Sequence, residues 1–96
     1  MLSKIPIDLG KVKEEEIEKE VLRLAIIAEL DAINLYEQMA AMVKDEKIRA
    51  VLEDVANEEK THVGEFLTLL LKLDEKQVEE IERGKEEVEE ILGVDE

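Results

Sequence analysis

Apolar residues recur along this chain every three to four positions in three stretches, separated only by short charged segments. Stepping by four and three from Leu22 gives Ile26, Glu29, Ile33, Tyr36, Ala40 and Val43. The same walk from Ile48 gives Leu52, Val55, Glu59, His62, Phe66, Leu69 and Leu73. A third stretch carries Val78, Ile81, Val88, Ile91 and Leu92 on one side and almost only Glu and Lys on the other. This is the period of amphipathic α-helices.

The breaks between the stretches set the boundaries. Residues 14–43 lack Gly and Pro, which predicts one helix about 45 Å long. Its first turns hold Glu14, Glu15, Glu16, Glu18 and Glu20, which suit the positive end of the helix dipole. Lys44-Asp45-Glu46-Lys47 is short and charged, with Asp45 as the expected N-cap of a second helix over 46–73. Asp74, followed three residues later by Gln77, has the spacing of a capping box and opens a third helix over 75–92. Gly93 is the expected stop, and Gly84 within the third helix marks a close approach or a weak point. Residues 1–13, with Pro6 and Gly10, read as an irregular arm. The short turn at 44–47 predicts that the two long helices form an antiparallel hairpin.

Two seam positions of the second helix and one of the first break the apolar pattern: Glu59 and His62, and Glu29. A lone carboxylate buried in such a seam costs several kcal/mol, by order of magnitude, so something must compensate it. Glu29 lies 14 residues before Val43, and Glu59 and His62 lie 13 and 16 residues after Glu46. At the helical rise these positions are about 21, 20 and 24 Å from the turn, one level of the hairpin. A metal ion is the first candidate for what unites them.

Composition narrows the choice. Cysteine is absent, so disulfides, iron–sulfur clusters and thiolate sites are excluded, and any metal is held by carboxylate and imidazole. Such ligands suit iron, manganese or zinc. With 13 basic against 27 acidic residues the net charge is −14, which argues against nucleic acid and favours attraction of cations. Acidity also keeps a protein soluble, and that alone can account for much of the charge. No apolar run approaches the roughly 20 residues that span a bilayer. Nor do residues 1–13 hold an apolar block long enough for a secretory signal, so the cytosol is the expected compartment.

One lone Glu and one Glu-x-x-His pair are half of the di-iron constellation of ferritin-like four-helix bundles. The chain has a single histidine and cannot supply the other half. A two-fold dimer would double the set to four carboxylates and two imidazoles, whose four negative charges balance two divalent ions.

The runs Ala28-Glu29-Leu30-Asp31-Ala32-Ile33-Asn34-Leu35-Tyr36 and Asn57-Glu58-Glu59-Lys60-Thr61-His62 resemble the encapsulated ferritins, short ferritin-like ferroxidases associated with encapsulin shells. The resemblance follows the element order over residues 14–92 and takes its specific content from those two runs. It implies a single all-α ferritin-like domain over 1–96: an antiparallel hairpin plus a shorter third helix, the four-helix bundle being completed by dimerisation. It implies rings of dimers, typically decamers, inside or fused to an encapsulin shell. Glu29, Glu59 and His62 then look like the di-iron ligands, and Tyr36 like the family's tyrosine beside the site. A secondary acidic site of two glutamates in the family falls on Ala28 and Asp31 here; Asp31 alone remains to attract ions. Some members end in a tail that docks on the shell, and none is read after Leu92.

The expected function is therefore ferroxidase: Fe²⁺ and dioxygen as substrates, iron held between two chains, and Fe³⁺ passed to an encapsulin compartment. Two alternatives stand beside it. The metal, zinc or calcium as well as iron, could serve only to join hairpins in a non-catalytic assembly module. Or an acidic hairpin could meet a partner helix with no metal at all.

Overall fold

The computed structural model describes residues 8–93. Pro6 and the chain ends of the expected arm and tail lie outside the described residues. Helix α1 spans Ile17–Met42, α2 Glu46–Leu73 and α3 Glu75–Leu92, preceded by 3₁₀ turns at Leu9–Lys11 and Glu14–Glu16. None of these helices is long and apolar enough to cross a membrane.

The first helix is shorter than its pattern suggests. Residues 14–16 form a tight 3₁₀ turn, and Lys13 offers no side-chain cap to start an α-helix there. At the other end Val43 is extended, with φ −86° and ψ 148°, because the chain must reverse within three residues. Asp45 drives the reversal: its Oδ1 accepts the N–H groups of Lys47 at 2.8 Å and Ile48 at 2.9 Å. Arg49, in the first turn of α2, reaches back and donates to the carbonyls of Ala40 (3.3 Å) and Val43 (2.6 Å). It thereby satisfies carbonyls that the end of α1 leaves without partners.

α1 and α2 pack along their length as an antiparallel pair, and this contact forms nearly all of the tertiary structure. Among the described residues four are buried: Ile33 and Ala40 from α1, Ala56 and Leu70 from α2. On α2 this differs from the expected seam. Ala56 and Leu70 lie one position past Val55 and Leu69, so the buried stripe is rotated by about 100° in the direction of the chain. Ala40 and Ala56 are among the residues that this face buries. Leu52, Val55 and Phe66 are only half-buried, and Ile48, Leu69 and Leu73 are exposed.

α3 is set apart. The Cα radius of gyration is 16.9 Å, against about 12.5 Å for a compact domain of this length. The molecule measures 46 × 44 × 20 Å. The thin dimension is two helix diameters, and the second long one arises because α3 stands off the hairpin. Val78, Ile81, Val88, Ile91 and Leu92 are all exposed, so the apolar side of α3 is uncovered within one chain. Asp74 caps α3 through Gln77 N–H at 3.0 Å, but no reciprocal bond from the Gln77 side chain completes a box. Gly93 ends the helix in the left-handed region at φ 70°, with its N–H on the carbonyls of Glu89 and Glu90.

Gly84 is not a point of close approach: a Cβ there would meet nothing within 4 Å. It is a weak point only. Gly84→Ala is expected to stabilise α3 by about 0.5–1 kcal/mol. Native-state hydrogen exchange checks this, as a roughly two- to fivefold slowing of α3 amides that open locally.

Candidate metal centre

Glu29 reaches the hairpin interface from the middle of α1, and Glu59 and His62 from the middle of α2. All three are half-buried. Glu59 and His62, three residues apart, sit on one face of α2, and the antiparallel packing sets Glu29 opposite them. His62 Nδ1 lies 3.4 Å from Glu29 Oε2 and 3.5 Å from Glu59 Oε2. One ligand atom from each residue falls within 4.8 Å of the other two, a spread that one cation could gather in. The level match computed from the helical rise is thus present in the folded hairpin.

The electrostatics of the cluster are unbalanced. Glu29 Oε2 is buried and, among the described residues, accepts no hydrogen bond. The imidazole Nδ1, at 3.4 Å, lies beyond the usual range of such a bond. Side-chain exposure is 18% for Glu29 and 19% for Glu59, but 42% for His62. The carboxylates therefore face inward while the imidazole side opens to the surface. Two acidic groups and one imidazole, hard and borderline donors without a thiolate, fit iron, manganese or zinc. An orphaned buried oxygen beside an imidazole nitrogen and a second carboxylate is the arrangement that a cation would complete.

The other residues singled out in the sequence lie outside this group. Tyr36 is half-buried, seven residues beyond Glu29 on the same face of α1, about 10 Å along the axis. Its hydroxyl makes no hydrogen bond with the described residues. Asp31 is half-buried and two residues on from Glu29, about 200° around the helix, and is not a member of the cluster. About two turns beyond Glu29 along α1, Glu37 pairs with Lys60 at 2.8 Å across the hairpin, with both side chains about half exposed. Such a pair contributes little to stability. It does place a positive charge next to Glu59 in sequence, directed away to the opposite helix.

Comparison with known proteins follows the same lines. Residues 20–94 match the rubrerythrin family. The chain is 60% identical over 88 residues to the ferritin-like–encapsulin shell fusion protein of Pyrococcus furiosus, an alignment covering 92% of this chain and 25% of the relative. It is 39% identical over 67 residues to the encapsulin nanocompartment cargo protein EncC of Myxococcus xanthus, covering 70% of this chain and 51% of that one. The chain thus spans about a quarter to a half of the length of these relatives. The crystal structure of the encapsulated ferritin domain from Pyrococcus furiosus superposes with a TM-score of 0.84 at 56% identity, over all of both chains.

Proposed function

The chain belongs to the rubrerythrin family, among its encapsulated ferritin domains, and on that premise we propose that it oxidises Fe²⁺ to Fe³⁺ with dioxygen at a centre shared between two copies. The observation that carries this reading is the orphaned Glu29 oxygen, 3.4 Å from the His62 imidazole and closed off from water. A cation there would turn an unfavourable burial into a favourable one.

In this reading Glu29, Glu59 and His62 hold the substrate iron. One copy offers two carboxylates and one imidazole, too few to satisfy two ions. A second copy related by a two-fold axis brings the same three residues to the open side of the imidazole, and the doubled set balances two Fe²⁺ in charge. Two ions side by side can give dioxygen two electrons together. Glu59, at the centre of the seam, is the carboxylate best placed to touch both ions, while Glu29 and His62 each complete one. Carboxylate oxygen stabilises Fe³⁺ over Fe²⁺, which favours oxidation. Tyr36 would shield the site on its closed-turn side. Asp31, with the acidic surface around it, would raise the local concentration of cations.

A second copy also answers the exposure of Leu69, Leu73 and Ile48, the part of the seam that a two-helix hairpin leaves uncovered. The relatives' names add the setting, an encapsulin shell fused to the domain or holding it as cargo; in this reading that shell would receive the oxidised iron. The test is an anaerobic Fe²⁺ titration followed by admission of air. Binding should saturate at about one ion per chain, as two ions shared by two chains require, and air should then convert the bound iron in step with the growth of Fe³⁺ absorbance. Saturation with no oxidation would favour the metal as an assembly joint, and no binding would remove the reading.

A further inference from the structure

α3 leaves the hairpin through a single residue. α2 ends at Leu73 and α3 begins at Glu75, so Asp74 is the entire connector. Its backbone is non-helical, with φ −130° and ψ 86°. Its two carboxylate oxygens are engaged on different elements. Oδ1 accepts the N–H of Gln77 in the first turn of α3 at 3.0 Å. Oδ2 accepts Arg23 Nη2 of α1 at 2.9 Å, a contact spanning 51 residues. The Asp74 side chain is 12% exposed, well covered for a surface ion pair.

We propose that Asp74 and Arg23 form a locked joint that fixes the direction in which α3 leaves the hairpin, and with it the angle at which its uncovered apolar stripe is presented. α3 packs sparsely on α2 and has no extensive contact with α1, so packing within the chain does little to hold its direction. What remains is a one-residue linker with two soft torsions. The lever is long: α3 extends about 27 Å, so a swing of about 20° at the joint moves its far end by about 9 Å. One carboxylate bonded at once to the start of α3 and to α1 removes that freedom, because the same rigid group must satisfy both.

The groups facing Asp74 are Arg23 and Lys19 from α1 and the Gln77 amide from α3; no charged group of α2 is among those that shift it. The Gln77 N–H, and then the Arg23 and Lys19 charges, hold its carboxyl below its ordinary value of 3.8 against the opposing effect of burial. The lock is therefore complete above the ordinary carboxylate range and is lost only as pH falls through the lowered value. Near neutral pH the joint is closed.

The chain has no cysteine, so Asp54→Cys on α2 and Lys85→Cys on α3, both exposed, accept a pair of spin labels without background. Doubly labelled chains diluted into unlabelled protein report the distance within one chain by pulsed electron resonance. Asp74→Asn isolates the ion pair, because asparagine caps a helix as well as aspartate. Arg23→Ala removes the other partner and leaves the cap untouched. The labelled protein with both residues intact should give one narrow distance distribution at pH 7. Each variant should broaden it to the same extent, the double variant should broaden it no further, and helix content by circular dichroism should be unchanged. Distributions as narrow as the parent's and with the same mean in both single variants would overturn the joint.

Discussion

Glu59→Ala is expected to lower aerobic Fe²⁺ oxidation by at least about 100-fold. Loss of an outer partner that merely orients a ligand costs about 10–100-fold in metal affinity or activity, so loss of the ligand itself belongs at or beyond the top of that range. In the proposed two-fold arrangement each substitution would remove two donors from one shared site, which deepens the expected loss. Glu59 should be the most damaging because in the proposed centre its carboxylate is the one that both ions share; His62 Nδ1 lies 3.5 Å from it and 3.4 Å from Glu29. His62→Ala and Glu29→Ala should each follow closely. Glu58→Ala provides the control, being exposed, adjacent, and of the same charge. Stopped-flow absorbance at matched chain concentration separates the cases. Parent-like rates in all three cluster variants, or an equal loss in Glu58→Ala, would remove these residues from the chemistry.

The cluster was legible in the sequence because two regularities met. Helical rise is constant, so counting from the turn placed Glu29, Glu59 and His62 at one height, and the apolar walk placed them on seams that face each other. The observed separations of 3.4 and 3.5 Å agree with that placement. The exact face of α2 was not legible. A walk of fours and threes marks a stripe wide enough for several neighbours, and this chain's stripe serves more than one contact. Within one hairpin the buried edge includes Ala40 and Ala56, and alanine carries little signal in an apolar walk. The Arg23–Asp74 tie was equally hidden. Asp74 announced itself as a helix cap, but its second oxygen meets a residue 51 positions away. No local pattern encodes such a pairing. The fraying of 14–16 into a 3₁₀ turn was missed for the opposite reason: Gly- and Pro-free sequence with helical period says little about whether the first turn has a cap.

Glu29→Leu should reverse the order of stability according to whether metal is bound. In the metal-free protein Glu29 Oε2 is buried without a donor, a state that costs about 1–3 kcal/mol. Leucine is similar in size and supplies apolar surface to a seam already lined by Ile26 and Ile33. The metal-free variant should therefore be more stable than its parent by about that amount, or about 4–8 °C in midpoint per kcal/mol for a domain of this size. Metal inverts the comparison. A cation at 100 times its dissociation constant stabilises the folded parent by about 2.7 kcal/mol, whereas a site that has lost a carboxylate gains much less. Thermal melts of both proteins with chelator and with Zn²⁺ or anaerobic Fe²⁺, at one chain concentration, give four midpoints. Their order should be variant above parent without metal and parent above variant with it. A metal-free variant that melts below its parent would mean that Glu29 is satisfied by the protein itself, for example through an ion pair with a protonated His62. The carboxylate would then be a structural element of the hairpin, and its burial would give no reason to infer a bound ion. The crossing is a sharper criterion than either melt alone, because general damage lowers both midpoints of the variant and general stabilisation raises both.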